Sequence, residues 1–301
     1  MMHTDPEPSA PPAATDLSPS EPAPHDGPMA IEVDLDTEQY RVPEGRRISL
    51  ADYRTHDDGG LDKAHGKQAF RALRDRLVDL QENLYAEGRR SLLVVFQAMD
   101  AGGKDSTTKA VFGPVDPAGC RVKSFKAPNS EELGHDFLWR VHQNVPKKGY
   151  IGVFNRSHYE DAVTVAVKDL APKDVWKHRV EHINNFEHLL HTEGTRVVKF
   201  FLHISKDYQK VRLQRRLDRP DKHWKFNPAD LDERARWGKY QERYAEVFGQ
   251  TSPADAPWYV IPAERRWYRN LLVCKVLVDI LEDMNPQPPK PDFDPTSIVI
   301  E

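Results

Sequence analysis

The sequence is poor in cysteine. Cys120 and Cys274 are the only two, far apart and in no metal-ligand spacing, so they read as buried, inert thiols. It also lacks any apolar run approaching the ~18 residues that span a bilayer, which argues against a membrane helix. No apolar core marks the N-terminal stretch as a secretory leader, so the expected location is the cytoplasm. Neither sign of charge is in large excess: 43 Lys and Arg stand against 47 Asp and Glu, a net charge of −4. A global basic field for nucleic acid is therefore excluded, and any polyanion must be met by a local basic patch. The 13 histidines are scattered. His178 and His182 share a helix face but have no glutamate or cysteine pattern beside them, so zinc is not expected. No internal repeat is present.

What is present is a long, ordinary globular composition, 39% hydrophobic and 30% charged over 301 residues, enough for a substantial core. Residues 1–30 are rich in Pro, Ala, Ser and Asp and are expected to form a disordered arm. Residues 284–301, with Pro286, Pro288, Pro289, Pro291 and Pro295, read as a Pro-rich tail. Between them, residues 31–283 read as one domain. Helical spacing over 64–87, 105–112, 130–144, 173–191, 206–219, 230–248 and 264–283 alternates with short apolar runs at 92–96, 121–125, 150–154, 197–203 and 258–261. Five such runs between helices predict an α/β fold with a mostly parallel five-stranded sheet covered on both faces.

The most informative segment is Leu92-Leu-Val-Val-Phe-Gln-Ala-Met-Asp-Ala-Gly-Gly-Lys104. A buried strand delivers a small-residue turn and a lysine to a helix start, which is how proteins hold nucleotide phosphates. Gly102 and Gly103 let the backbone approach, and Lys104 is placed to span phosphate oxygens. Ala101, Asp105 and Ser106 complete the expected phosphate loop. It departs from G-x-x-x-x-G-K-[ST] at Ala98 and at Asp105, which replaces the usual hydroxyl residue. Asp100 lies inside the turn. A carboxylate among phosphates is repulsive unless a cation intervenes, so Asp100 is expected to hold Mg²⁺.

A second strand end reads Asn155-Arg-Ser-His-Tyr-Glu-Asp161 and should lie beside the first, where open parallel sheets bind ligands. Arg156 suits a transferring phosphoryl group. Asn155, Glu160 and Asp161 are candidates for nucleotide, with Asp161 also a candidate metal ligand, and Lys126 is a candidate acceptor-phosphate contact. Arg212, Arg215, Arg216 and Arg219 recur on one helix face before the breaker Pro220, as a mobile cover over phosphates would need. A lid is therefore expected at about residues 206–235.

Together, Met99-Asp-Ala-Gly-Gly-Lys-Asp105, Ser124-Phe-Lys-Ala-Pro128, Phe154-Asn-Arg-Ser-His-Tyr-Glu-Asp161, Trp224-Lys-Phe226 and Ala256-Pro-Trp-Tyr-Val-Ile-Pro262 resemble the second polyphosphate kinase family. The resemblance spans roughly residues 45–283. It implies a P-loop-kinase-like three-layer α/β/α sandwich with a helical lid. It also implies Mg²⁺-dependent phosphoryl transfer between inorganic polyphosphate and nucleotides, forming ADP or ATP from AMP or ADP, with guanine nucleotides left open. In the family the residues matching Asp100 and Lys104 serve Mg²⁺ and phosphate, and those matching Arg156, Arg215, Arg216 and Arg219 hold phosphates. Asn155 stands where class I members tend to carry Asp, and the overall look is nearest class III. Homodimers or homotetramers are implied, with neither nucleic acid nor membrane as partner. Two rivals remain on the residues alone: an ATP-dependent small-molecule or nucleoside kinase, and a non-catalytic nucleotide- or polyphosphate-binding module.

Overall fold

In a computed structural model, the structure describes residues 35–300. The expected N-terminal arm therefore lies outside the described residues. Strand β1 (Ser91–Gln97) is the middle of a five-stranded sheet, and Leu92 to Phe96 are all fully buried. A strand buried on both faces reads as a continuous apolar run, which is why this segment stood out in the sequence. β2 (Cys120–Ser124), β3 (Ile151–Asn155), β4 (Thr195–His203) and β5 (Trp258–Pro262) complete the sheet in the order β2-β3-β1-β4-β5, every pair parallel. The register sets Phe96 beside Asn155 and beside Phe200, which brings the carboxyl ends of β1, β3 and β4 to one edge.

Alternate residues feed two cores. Leu92, Val94 and Phe96 face one side, against α1 (Lys63–Glu87), α2 (Lys104–Phe112) and α10 (Arg266–Met284). Leu93 and Val95 face the other, against α5 (Glu160–Val167), α6 (Lys173–Thr192) and α9 (Trp237–Gln250). The architecture is the expected three-layer α/β/α sandwich. Asp62 caps α1, its Oδ1 accepting from the amides of Ala64 (2.7 Å) and His65 (3.1 Å), and Gly88 ends the helix in the left-handed region at φ +64°. No helix among the described residues is long and apolar enough to cross a membrane.

Two helices expected as continuous are not. Residues 130–144 form two short pieces, α3 (Ser130–Leu133) and α4 (Trp139–His142). An Asn129–Glu132 capping box starts the first, Gly134 ends it, and Asp136 turns back onto the amide of Leu138. Residues 230–248 divide at Arg236 (ψ 17°) into α8 (Ala229–Ala235) and α9. α8 is tied to α7 (Lys206–Leu217) by the Asp230–Arg216 ion pair and to the end of α5 by the Glu233–Lys168 ion pair, and α9 packs on α5. α7 stops at Leu217, so Arg219 lies beyond it in extended backbone, heading a 3₁₀ turn over Pro220–Lys225. The other elements fall within one to two residues of expectation, and α5 is a helix beyond those expected.

Candidate active site

The turn after β1 is shaped by its small residues. Ala101 (φ +63°) and Gly103 (φ +103°) both adopt left-handed backbone. A Cβ on Gly102 would come within 2.7 Å of the Ala98 Cβ and 2.9 Å of the Met99 carbonyl, and one on Gly103 within 2.2 Å of Arg269 Nη1. Gly102 therefore excludes a side chain by contact, and the left-handed backbone disfavours one at Gly103. The turn delivers Lys104 to the first position of α2. Its Nζ is buried and donates to the Ala98 carbonyl (3.0 Å). Burial pushes the Lys104 ammonium below its ordinary pKa, and Arg156 adds to this; Asp100, Glu160 and Asp105 pull the other way. An arriving anion restores what burial removes.

Arg156, also left-handed at φ +62°, follows β3 directly and donates to Asp100 Oδ1 (3.1 Å). Burial opposes its charge, but Glu160 and Asp100 outweigh burial and hold its pKa above the ordinary value. The strained conformation, of order 1–3 kcal/mol, turns this side chain back over the phosphate turn. Asn155 Nδ2 donates to Asp105 Oδ1 (2.6 Å), so the residue replacing the usual hydroxyl is held by the neighbouring strand end. Ser106 Oγ donates to the Gly103 carbonyl (2.9 Å) and accepts from Arg269 Nη2 (3.1 Å), which makes it a brace of the turn.

Two cavities meet here. One, of about 720 Å³, runs from the turn along Arg212, Arg215, Arg216 and Arg219. The other, of about 250 Å³, lies beneath Phe125, Tyr240 and Tyr244 and takes in Arg140, Glu160 and Asp161. Asp100, Phe125, Lys126, Ala127 and Arg156 line both. Asn155 faces the first cavity, with Asp105 and Ser106.

Asp161 is brought to the second cavity, which Asp100, Glu160 and Glu233 also line. Its oxygens lie 3.5 Å from Arg140 and 3.5 Å from Arg179, and burial raises its pKa against the pull of those two arginines. Asp100, by contrast, opens on both cavities. Among the described residues no group of three or more His, Cys, Asp or Glu forms a metal cluster. Mg²⁺ needs no such cluster, since one or two carboxylates with substrate phosphates and waters satisfy it; Asp100 fits that donor set.

Several residues of the site carry no sequence signal. Gln209 on α7 is fully buried and donates to the Asp100 carbonyl (2.9 Å), fixing the turn from above. Gln97 donates to Glu160 Oε1 (3.0 Å) and accepts from the Ser157 amide (3.2 Å). Arg140 donates to the Lys126 carbonyl (2.9 Å), shaping the loop between the cavities. Arg269 could have been noticed as the i+3 neighbour of Arg266 on α10, a second basic pair beside the first.

An all-parallel sheet between two helical layers, with a lysine-bearing turn at the end of its central strand and an arginine-lined groove beside it, defines an α/β/α protein with a basic strand-end site. Comparison with known proteins narrows this. The family model for polyphosphate kinase 2 matches residues 60–289, and the chain belongs to that family. It is 51% identical over 265 residues to the AMP/ADP-polyphosphate phosphotransferase of Meiothermus ruber, covering 87% of this chain and 99% of that relative. It is 42% identical over 263 residues to the ADP-polyphosphate phosphotransferase of Rhodopseudomonas palustris, covering 83% of this chain and 91% of that relative. The crystal structure of polyphosphate kinase 2 from Arthrobacter aurescens TC1 superposes with a TM-score of 0.83 at 43% identity, over 86% of this chain and 93% of that one.

Proposed function

We propose that the protein transfers a phosphoryl group between inorganic polyphosphate and a nucleoside mono- or diphosphate, forming ADP from AMP and ATP from ADP. One observation carries this reading: an arginine-lined groove and a smaller, partly aromatic pocket meet at Asp100 and Arg156. A kinase whose only donor is a nucleotide has little need of an extended row of arginines. Membership of a family whose relatives bear phosphotransferase names supports the same reading.

In this proposal the polyphosphate end lies at Gly102, Gly103 and Lys104. The acceptor enters the second pocket with its terminal phosphate toward Arg156 and Lys126. An oxygen of that phosphate attacks the terminal phosphorus of the polymer. A new P–O bond forms, the terminal P–O–P link breaks, and the chain leaves one unit shorter with the electron pair. The attacking oxygen is already ionised, so no general base is required. Lys104 and Arg156 meet the charge on the transferring group, and the turn fixes its position. Asp100 is the residue we assign to Mg²⁺, which when bound would screen repulsion between the two phosphate groups. Asp161 we assign to orienting Arg140 and Arg179 around the acceptor pocket instead. A cytoplasmic homodimer or homotetramer is part of the same proposal, and sedimentation would test the assembly.

The test is to incubate the protein with Mg²⁺ and polyphosphate, adding AMP or ADP in separate reactions, and to resolve the nucleotides. ADP and ATP are expected without any ATP supplied. Formation of product only when ATP is the donor would establish an ordinary kinase instead. Binding of both ligands without turnover would leave a non-catalytic module.

A further inference from the structure

A Cβ on Gly249, near the end of α9, would come within 2.3 Å of the Arg46 carbonyl. Glycine there lets the segment 45–51 run close along α9. Between the two opens a cavity of about 960 Å³ that shares no lining residue with the two cavities at the active site. Small-molecule sites have volumes of this order. Trp237, Gln241 and Ala245 face it from α9 at four-residue steps. Tyr240 and Tyr244, on the next face of the same helix, line the smaller active-site cavity. One helix therefore walls both spaces.

Two polar atoms of residues on this cavity are buried and have no partner among the described residues: Nδ1 of His203 and Nε2 of Gln241. His203 is only 5% exposed. Burial pushes its pKa down to about 4, so at pH 7 the ring offers a hydrogen bond without a charge. Buried polar atoms left unpaired are rare, and each costs about 1–3 kcal/mol. Two on one cavity call for an occupant whose heteroatoms pair with them. Arg46 and Arg47 are exposed on the same cavity, and among the described residues neither has a carboxylate within 4 Å. Of the two acidic residues there, Glu246 is tied to Arg243 (2.8 Å), while Glu242 has no cation within 4 Å among the described residues.

Each of these groups has a counterpart in one class of ligand. A nucleobase offers a flat face to Trp237 and polar edge atoms to Gln241 and His203. Ribose hydroxyls donate to a carboxylate such as Glu242, as they do in dinucleotide sites. Phosphate pairs with the guanidiniums of Arg46 and Arg47. Bare polyphosphate suits the cavity poorly, because Glu242 and Glu246 would face it and the buried amide and imidazole would stay unpaired. We propose that the cavity between segment 45–51 and α9 is a second site for a nucleoside phosphate, separate from the transfer site and sharing the α9 wall with it.

Photolabelling tests this, with 8-azido-ADP as the probe on the full chain. The tryptic peptide Ile48–Arg54 contributes four lining residues to this cavity and none to the active site, so its label reports the second site alone. The wild type should carry label on that peptide, and excess ADP should abolish it. Arg47 is exposed, so Arg47→Glu keeps the fold, as circular dichroism would check; it should cut the label about tenfold. Gln241→Leu should cut it as well, and Arg47→Lys should retain most of it. In Lys104→Ala, where transfer is suppressed, the label should persist, and excess long-chain polyphosphate should not displace it. An unlabelled peptide, a label that survives Arg47→Glu, or one that Lys104→Ala or polyphosphate removes overturns the proposal. Because the readout is binding, it stands or falls apart from whether polyphosphate is the phosphoryl donor.

Discussion

Arg156 is aimed by a chain segment that rests on a buried ionic network, and removing one member of that network should be felt both in stability and in turnover. Lys199 on β4 and Glu187 on α6 form a fully buried ion pair. Glu187 Oε1 also accepts from His158 Nε2 (3.0 Å) and the Tyr159 hydroxyl (3.0 Å), while Lys199 Nζ donates to the Thr251 carbonyl (2.6 Å) and Tyr159 Oη (3.0 Å). Burial alone would raise the pKa of Glu187, but Lys199 and His158 outweigh it and hold the carboxyl below its ordinary value, so it is ionised. Glu187→Gln leaves the Lys199 ammonium buried with only neutral acceptors. The expected cost is about 3–5 kcal/mol, since an uncompensated buried charge replaces a satisfied pair. At about 2–4 °C per kcal/mol for a domain of this size, Tm should fall by roughly 10 °C. Replacing both partners, as Lys199→Met with Glu187→Gln, removes the stranded charge. The double variant should therefore be less destabilised than the sum of the two single changes by about 2 kcal/mol or more. Urea unfolding followed by tryptophan fluorescence measures this, because Trp258 donates to Thr251 Oγ1 and packs against Tyr159 within the same cluster. His158 and Tyr159 follow Arg156 at a distance of two and three residues, so kcat should drop in Glu187→Gln under conditions where the fold is intact. Additive single and double variants, or a Glu187→Gln cost below about 1 kcal/mol, would refute the view that the pair acts as a unit.

Other outcomes follow from the site. Lys104→Ala and Asp100→Ala should each lower kcat for ATP formation from ADP and polyphosphate by about 10²–10³-fold while circular dichroism stays unchanged; near-normal turnover in either variant would sink the mechanism. Gly103→Ala should cost at least tenfold in kcat/KM, since the new Cβ must displace Arg269 Nη1 from 2.2 Å in a backbone conformation alanine disfavours. His203 is buried and its pKa is depressed from 6.5 to about 4, first by burial. The unfolded chain therefore takes up the proton before the folded one. Its contribution is full above pH 6.5 and is lost as pH falls toward 4, a difference of about 3 kcal/mol. His203→Asn should remove that part of the acid sensitivity, as read from denaturant midpoints at pH 7 and pH 4.5.

The parts of the site that could be read in advance are those whose meaning is local. The apolar run 92–96 and the residues from Asp100 to Lys104 declare a strand and a phosphate turn by composition and order, because backbone reach and small side chains decide that geometry within a few residues. The helix over 130–144 was misread because apolar spacing outvoted Gly134 and Asp136, whose turn chemistry prevailed in the fold. The break at Arg236 had no local mark at all. The same division holds in the site. Asp100 and Lys104 were visible, whereas the bond from Asn155 to Asp105 and the grip of Gln209 on the Asp100 carbonyl join residues 50 and 109 positions apart.

Those distant contacts explain why Asp105 is tolerated where a phosphate loop usually carries a hydroxyl. An anion one residue after the lysine would repel the phosphate that the turn exists to hold. Here Asp105 accepts from Asn155, a neutral donor. Two carboxylates at these positions would repel each other across the strand end; one carboxylate and one amide form a hydrogen bond instead. Asn155 and Asp105 are therefore a matched pair, and the charge that Asn155 withholds from the site leaves Asp100 as the carboxylate facing both cavities. Introducing Asp at position 155 should then disturb the turn through Asp105 even if it also adds a metal-binding oxygen. Asn155→Asp with Asp105→Asn, which restores the bond in the opposite sense, should recover more activity than Asn155→Asp alone. Equal activity of the single and double variants would show that the two residues act independently.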